Sequence, residues 1–225
     1  MFKYIYLIRG SSNEDYKEFK NRIFKIIDPI YGNFDQIKLT LTEQAPPILS
    51  IIPFNKTKIA AISLSAGSND SVTLPTFQDA IGYAGSYKVS EALPVTYKKK
   101  WQDRTVTPGI CLLTLFRKKK SIDHKTFISR WHKGHTPLSL RIHPLWHYNR
   151  NEVTDRLSLN SEHFDGIVEE HCRTRSELLN PFKFFGNPLL IVPRMLEVYF
   201  DVKSFIDYPS IEPYLVSEYH LKAKI

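Results

Sequence analysis

Hydrophobic residues recur at two different spacings along the chain, and the order of these spacings predicts the fold. In the first half, an apolar run at the N-terminus precedes a stretch with apolar residues at helical spacing, and stretches of strand character follow. We expect Asn13 to cap the first helix and Pro29 to end it. The predicted elements, in the order β-α-β-β-α-β, are a strand at 3–9, a helix at 13–27, strands at 36–42 and 58–65, a helix at 76–86 and a strand at 94–101.

The second half repeats this order of elements over a similar length. Asp123 is a suitable N-cap for a helix that carries Phe127, Trp131 and His135 at intervals of four residues. We expect this helix to end before Pro137, because proline interrupts a helix interior. The predicted elements are a strand at 110–116, this helix, strands at 146–151 and 164–171, a proline-broken helical region at 175–202 and a strand at 213–221.

Two halves with the same order of elements predict an α+β fold of two tandem ferredoxin-like β-α-β-β-α-β repeats, residues 1–107 and residues 108–225. In such a repeat the helices cover one face of the sheet and leave the other face bare. The bare faces of two sheets can cover each other, which predicts barrel-like closure around a central cleft within one chain. We expect the functional site in this cleft, with repeat 1 as a scaffold or lid.

The composition is that of an ordinary globular protein. The 225 residues are 42% hydrophobic and 24% charged, which excludes disordered and collagen-like classes. The net charge is +8, but each half carries an excess of four basic residues, so no basic arm or stripe indicates a nucleic-acid partner. The basicity favours at most a weakly anionic small ligand.

The sequence also predicts a cytoplasmic protein without a membrane partner. Its apolar N-terminus contains Lys3 and Arg9, which is untypical of a secretory leader. No apolar run reaches the roughly 20 residues of a helix that spans a bilayer. Cys111 and Cys172 are too few for a disulfide framework, and we expect them to be reduced, buried thiols.

The distribution of histidine is uneven. Because histidine titrates near neutral pH, we expect any acid–base chemistry in repeat 2. The sequence lacks the spacing of a metal site, nucleotide-binding glycine motifs and the G-x-S-x-G motif of serine hydrolases, so no metal and no tightly held cofactor are predicted. All eight histidines lie in the second half, at positions 124, 132, 135, 143, 147, 163, 171 and 220.

Residues 116–151 carry the most specific pattern in the chain. It consists of a strand that ends in arginine, a helix with phenylalanine and tryptophan, a His-x-Pro-Leu sequence, and a strand with a tyrosine. This pattern resembles that of the EthD family of dimeric α/β-barrel proteins, and the resemblance implies a dimeric-α/β-barrel-like pseudo-dimer. The corresponding residues are Arg117, Phe127, Trp131, His135, Pro137, Leu138 and Tyr148.

The resemblance also suggests roles for individual side chains. His135, on the last turn of its helix, would be the acid or base, with its pKa raised by the helix dipole. Tyr148 would stabilise an oxyanion. His220 would be oriented by Glu218, where the family commonly has Glu-Glu-His and this chain has Glu-Tyr-His. The catalytic candidates are thus His135, Tyr148 and His220, and the substrate-binding candidates are Trp131, Arg117, His147 and Glu218.

These features favour a cofactor-independent enzyme that binds a small apolar carbonyl or aromatic, polyketide-like compound and transfers protons. The resemblance implies cyclase, dehydratase, decarboxylase or oxidoreductase chemistry. One alternative is a non-catalytic binder of an apolar ligand or of noncovalent haem, and another is an accessory protein of a degradation pathway. A structural protein with a filled interior is a third alternative. The chain is expected to be a monomer that closes its own barrel, or a homodimer of such units.

Overall fold

The computed structural model describes residues 2–67 and 73–223. Within these ranges, eight strands form a closed antiparallel barrel with helices on its outside. The strands are β1 (Phe2–Arg9), β2 (Gln36–Leu41), β3 (Ile59–Ala66), β4 (Tyr83–Val95), β5 (Ile110–Phe116), β6 (Leu145–Arg156), β7 (Gly166–Cys172) and β8 (Glu212–Lys222).

Most of the helical structure belongs to the second half. A π-helical turn, Arg130–His135, joins α2 to α3 without a break, and short 3₁₀ turns cover Asp28–Ile30, Pro188–Leu190 and Tyr208–Ser210. The α-helices are α1 (Tyr16–Ile27), α2 (His124–Ser129), α3 (Thr136–Ile142), α4 (Arg175–Leu179), α5 (Pro181–Phe184) and α6 (Ile191–Phe205). None of the helices in the described ranges combines the length and apolarity that crossing a membrane requires.

The strand order confirms the predicted fold class. Around the barrel, the first half contributes the order β4-β1-β3-β2 and the second half contributes β8-β5-β7-β6. Each half therefore has the 4-1-3-2 order of a ferredoxin-like sheet, and the sheets join through β2 with β8 and β4 with β6. The boundary between residues 107 and 108 stays a prediction.

The predicted helix at 76–86 and the predicted strand at 94–101 are both wrong. A turn ends at Gly82, and β4 occupies Tyr83–Val95 instead. Gly82 has a φ of +79°, and an added Cβ would lie 2.0 Å from the carbonyl oxygen of Arg9. This close approach and the Arg9 N–H···O=C bond to Gly82, at 2.7 Å, fix a turn where the apolar spacing indicated a helix.

Two details of the predicted helices also differ. The N-cap of α1 is Asp15 rather than Asn13, because Asp15 and Glu18 form a reciprocal capping box. The helix before Pro137 does not end there. Pro137 lies just after the π-helical turn, where the regular hydrogen-bond pattern of the α-helix is already interrupted, and the helical path continues through His135 to Ile142. By contrast, Asp123 caps α2 as predicted and accepts a hydrogen bond from the Thr126 N–H at 2.7 Å.

Side chains alternate along each strand between the barrel interior and the outer face of the sheet. One end of the barrel interior is filled with aliphatic and aromatic side chains, among them Ile5, Leu113 and Val216. The other end holds charged and polar side chains. The outward faces of β5, β6 and β7 pack against the helices of the second half, and this packing leaves a cavity outside the barrel.

Candidate functional site

A cavity of about 290 Å³, here termed the outer cavity, lies between the second-half sheet and the helices α3 and α6. Its walls are mainly apolar, and a few polar groups converge on it, as is typical of small-molecule sites. The sheet contributes Leu112, Thr114, Phe116, Tyr148, Val168 and Glu170, and the helical segment contributes Trp131, His135, Ser139, His143, Val198, Val202 and Phe205.

His135 is held in one orientation by two hydrogen bonds. Its Nδ1 lies 2.7 Å from Asp201 Oδ2 on α6, and its Nε2 lies 3.1 Å from the hydroxyl of Ser139. An ionised carboxylate only accepts, so Nδ1–H donates to Asp201, and in the neutral ring the Nε2 lone pair accepts from Ser139. In this tautomer the basic nitrogen is the one beside Ser139, and both residues line the outer cavity. Since the helical path continues past His135, the helix-dipole argument does not apply to it.

Glu170, on β7, is the functional candidate that sequence reasoning missed. Its carboxyl group lies in the wall of the outer cavity, and burial raises its pKa although the charge of His135 opposes this effect. Within the described part of the chain, this carboxyl makes no hydrogen bond. The signal was present in the sequence, because Val168, Glu170 and Cys172 share one face of a strand on which an acid is unusual.

Trp131 and Tyr148 form walls of the same cavity. The Trp131 ring is 1% exposed and meets Phe116 edge to face, with 5.1 Å between ring centroids. Tyr148 is equally buried, and Thr136 and Trp131 lie beside its phenol. Burial raises the pKa of Tyr148, so the phenol stays protonated. The oxyanion role of Tyr148 stays a prediction.

His220, His147 and Glu218 lie elsewhere, at the polar end of the barrel interior. His220 Nε2 is 2.6 Å from the hydroxyl of Tyr97, which also donates to Glu218. Burial lowers the pKa of His147 to about 3, so this ring is neutral. A cavity of about 530 Å³, here termed the barrel cavity, opens beside these groups.

Lysines balance the buried carboxylates of this cluster. Lys38 Nζ lies 2.5 Å from Glu169 and 3.4 Å from Glu218. Burial alone would raise the pKa of Glu218, but Lys38 and the neighbouring histidines hold it well below the usual value. Lys3 pairs with Glu91 at 2.6 Å in the same way.

The predicted convergence of His135, Tyr148 and His220 on one cleft is therefore wrong. Adjacent residues on a strand point to opposite faces, so Tyr148 faces the helices while His147 faces the barrel interior. His220 on β8 points inward as well. The sheet itself separates the outer cavity from the barrel cavity. Of the predicted site residues, only His135, Tyr148 and Trp131 line the outer cavity.

Arg117 contributes to neither cavity. It follows the last residue of β5, its side chain is 47% exposed, and its guanidinium lies 3.9 Å from Asp207. The strand ends before Arg117, so nothing directs this side chain inward. Within the described ranges, no group of three or more His, Cys, Asp or Glu residues has the arrangement of a metal site.

Comparison with solved structures places the fold with proteins of the dimeric α/β-barrel type. An anthrone oxidase-like protein matches over 100% of this chain and 94% of its own, with a TM-score of 0.59 and 10% identity. A predicted monooxygenase of Fusobacterium nucleatum subsp. nucleatum matches over 98% and 92%, with a TM-score of 0.50 and 10% identity. No protein-family profile and no curated protein matches the sequence. At this identity the likeness shows the fold alone, and membership of the EthD family stays a prediction.

Proposed function

We propose that this protein is an enzyme that binds a small aromatic carbonyl compound in the outer cavity and transfers a proton without a tightly held cofactor. One observation carries the proposal: an imidazole oriented by a carboxylate faces a carboxyl group of raised pKa across an apolar cavity. Pairs of titratable groups whose surroundings favour opposite protonation states are typical of acid–base sites.

Each polar group then has a defined task. His135 Nε2 is the base and takes a proton from a substrate carbon whose carbanion is conjugated with the carbonyl, in competition with the hydrogen bond from Ser139. Asp201 holds the ring and stabilises the imidazolium that forms. Glu170, in its neutral form, donates a hydrogen bond to the carbonyl oxygen, where negative charge develops. Trp131 and Phe116 offer apolar ring surface to an aromatic substrate.

The name of one structural neighbour supplies a test compound. Anthrone is a flat tricyclic ketone whose methylene group lies between two aromatic rings, and loss of one methylene proton gives its enol tautomer. The apolar cavity suits such a ring system, and the transfer described above is the step that tautomerisation needs. Subsequent oxidation by dioxygen would give the quinone and one water molecule.

Hydrogen–deuterium exchange at the anthrone methylene, followed by proton NMR in deuterated buffer, tests the proposal. The protein should accelerate the exchange, and His135→Ala should remove about 100-fold or more of this acceleration. His163→Ala, a change of a histidine far more exposed than His135, should leave the rate unchanged. Thermal unfolding verifies that His135→Ala is folded.

The alternatives give different results in this experiment. An exchange rate for the His135→Ala variant equal to that of the wild type would refute the acid–base assignment. Saturable binding of anthrone without accelerated exchange would indicate a non-catalytic carrier. A Soret band on addition of haem would instead indicate a haem-binding protein.

A further inference from the structure

Ser139 completes a serine–histidine–aspartate arrangement in the wall of the outer cavity. The Ser139 hydroxyl lies 3.1 Å from His135 Nε2, and His135 Nδ1 lies 2.7 Å from Asp201 Oδ2. Because Asp201 accepts the Nδ1 proton, Nε2 is left as an acceptor for the serine proton. These are the contacts and the tautomer that a histidine needs to act as general base toward a serine nucleophile.

The arrangement is built from two helices. His135 and Ser139 are four residues apart, so they lie on the same face of the helical path one turn from each other. Asp201 reaches His135 from α6, and the Phe205 ring of that helix packs on the imidazole at 5.3 Å between centroids. Two supporting contacts, one polar and one apolar, restrict the ring. A serine that only packs against its own helix does not require a histidine oriented in this way.

The cavity beside Ser139 has mainly apolar walls, which suit an apolar acyl group. Ser139 is 1% exposed, yet its side chain lines the outer cavity, where apolar residues predominate. Glu170 lies in the opposite wall of the cavity, which the sheet forms, and its carboxyl is close enough to His135 for the two groups to interact electrostatically. A neutral carboxyl at this place would donate a hydrogen bond to the oxygen of an acyl group held there.

We propose that Ser139 is a nucleophile and that the outer cavity hydrolyses esters of small apolar carboxylic acids. Ser139 Oγ bonds to the acyl carbon while its proton moves to His135 Nε2. The acyl carbon–oxygen bond to the alcohol then breaks, and the alcohol leaves with that proton. Water then loses a proton to His135 and attacks the acyl carbon of the acyl-serine ester. The bond from the acyl carbon to Ser139 Oγ breaks, the proton passes from His135 to Oγ, and the carboxylic acid leaves. No oxidant or reductant takes part.

An alkyl fluorophosphonate tests the nucleophile directly. Attack by Ser139 forms an oxygen–phosphorus bond and displaces fluoride, so intact-mass spectrometry should detect one phosphonyl group, and peptide mapping should locate it on Ser139. Ser139→Ala should abolish the label, and Asp201→Asn should slow labelling by at least about 10-fold. Ser129→Ala, an exposed serine of the same helical path, is the matched control and should label as the wild type does.

A second readout uses p-nitrophenyl butyrate. Its hydrolysis should fall about 100-fold or more in Ser139→Ala and remain unchanged in Ser129→Ala. Absence of the label from the folded wild-type protein, or a label on another residue that persists in Ser139→Ala, would overturn the proposal. So would equal hydrolysis by wild type and Ser139→Ala.

Both ideas use His135, but the wild-type protein separates them. Labelling without methylene exchange would leave the serine nucleophile standing and refute the carbon-acid reaction. Methylene exchange without labelling would support the carbon-acid reaction and refute the serine nucleophile.

Discussion

At the scale of single residues, the outer cavity depends on partners that are distant in sequence. His135 was identified from its own segment, but Asp201 lies 66 positions later on a helix whose packing the sequence does not specify. Ser139 was hidden for a similar reason, because a helical serine acquires a role only through the orientation of the neighbouring imidazole. Glu170 was within reach, since an acid on the apolar face of a strand requires an explanation.

The charge state of Glu170 gives a prediction about pH. Burial raises the pKa of this carboxyl, so its neutral, hydrogen-donating form is lost when the pH rises through that value. Exchange at the anthrone methylene by the wild type should therefore decline as the pH rises through the raised pKa of Glu170. Glu170→Gln keeps a donor that does not ionise and should flatten this decline, whereas Glu170→Ala should be about 100-fold slower than the wild type below the pKa of Glu170.

Stability provides a second measurement on the same variants. In the unfolded chain the Glu170 carboxyl ionises at its ordinary pKa, whereas in the folded protein it holds its proton to a higher pH. The free energy of unfolding of the wild type should therefore decrease as the pH rises from the unfolded-state pKa to the folded-state pKa. Thermal unfolding of Glu170→Gln should lack this loss. Glu197 is an exposed glutamate that pairs with Arg141. Glu197→Gln serves as the control and should follow the wild type in both measurements. A pH dependence identical in wild type and Glu170→Gln would contradict the role of Glu170.

At the scale of elements, the sequence identified strands more reliably than helices. The alternation at 36–42 and the apolar run at 110–116 correspond closely to β2 and β5, because alternation follows directly from burial of one strand face. The stretch around Gly82 failed because its apolar spacing fits a helix, while a backbone contact with Arg9 imposes a turn. Local periodicity cannot report a contact between segments about 70 residues apart.

Gly82 therefore gives a prediction about stability. Gly82→Ala places a Cβ 2.0 Å from the Arg9 carbonyl oxygen at a positive φ, so the turn into β4 must deform. We expect a loss of about 1–3 kcal/mol in the free energy of unfolding, measured by urea denaturation. Gly32→Ala, where an added Cβ meets nothing within 4 Å, should change it by less than about 0.5 kcal/mol. Equal stability of the two variants would contradict the assigned turn.

At the scale of the whole molecule, two sheets of the same strand order enclose the barrel interior, and the outer cavity lies outside them. The sequence predicted the repeat and the barrel, because both follow from the order of elements. It placed the site in the cleft between the two sheets, whereas the proposed site lies on the outer face of the second sheet, because the choice of face depends on how the barrel interior is filled. Aliphatic residues occupy one end and the charged cluster around Lys38 and Glu218 occupies the other.

This division makes the position of a bound ligand decisive. The outer cavity has the apolar walls that an aromatic ketone requires, whereas the barrel cavity presents paired charges such as Lys3 with Glu91. Removal of such charges from water in favour of an apolar ligand is unfavourable. An aromatic ligand should therefore avoid the barrel.

A crystal structure of the protein with anthrone tests this most directly. We predict electron density for the ligand in the outer cavity, with its rings against Trp131 and Phe116, its carbonyl oxygen within hydrogen-bond distance of Glu170 and its methylene carbon next to His135 Nε2. Density for anthrone in the barrel cavity beside His147 and His220, with the outer cavity empty at saturating ligand, would contradict the assignment of the site.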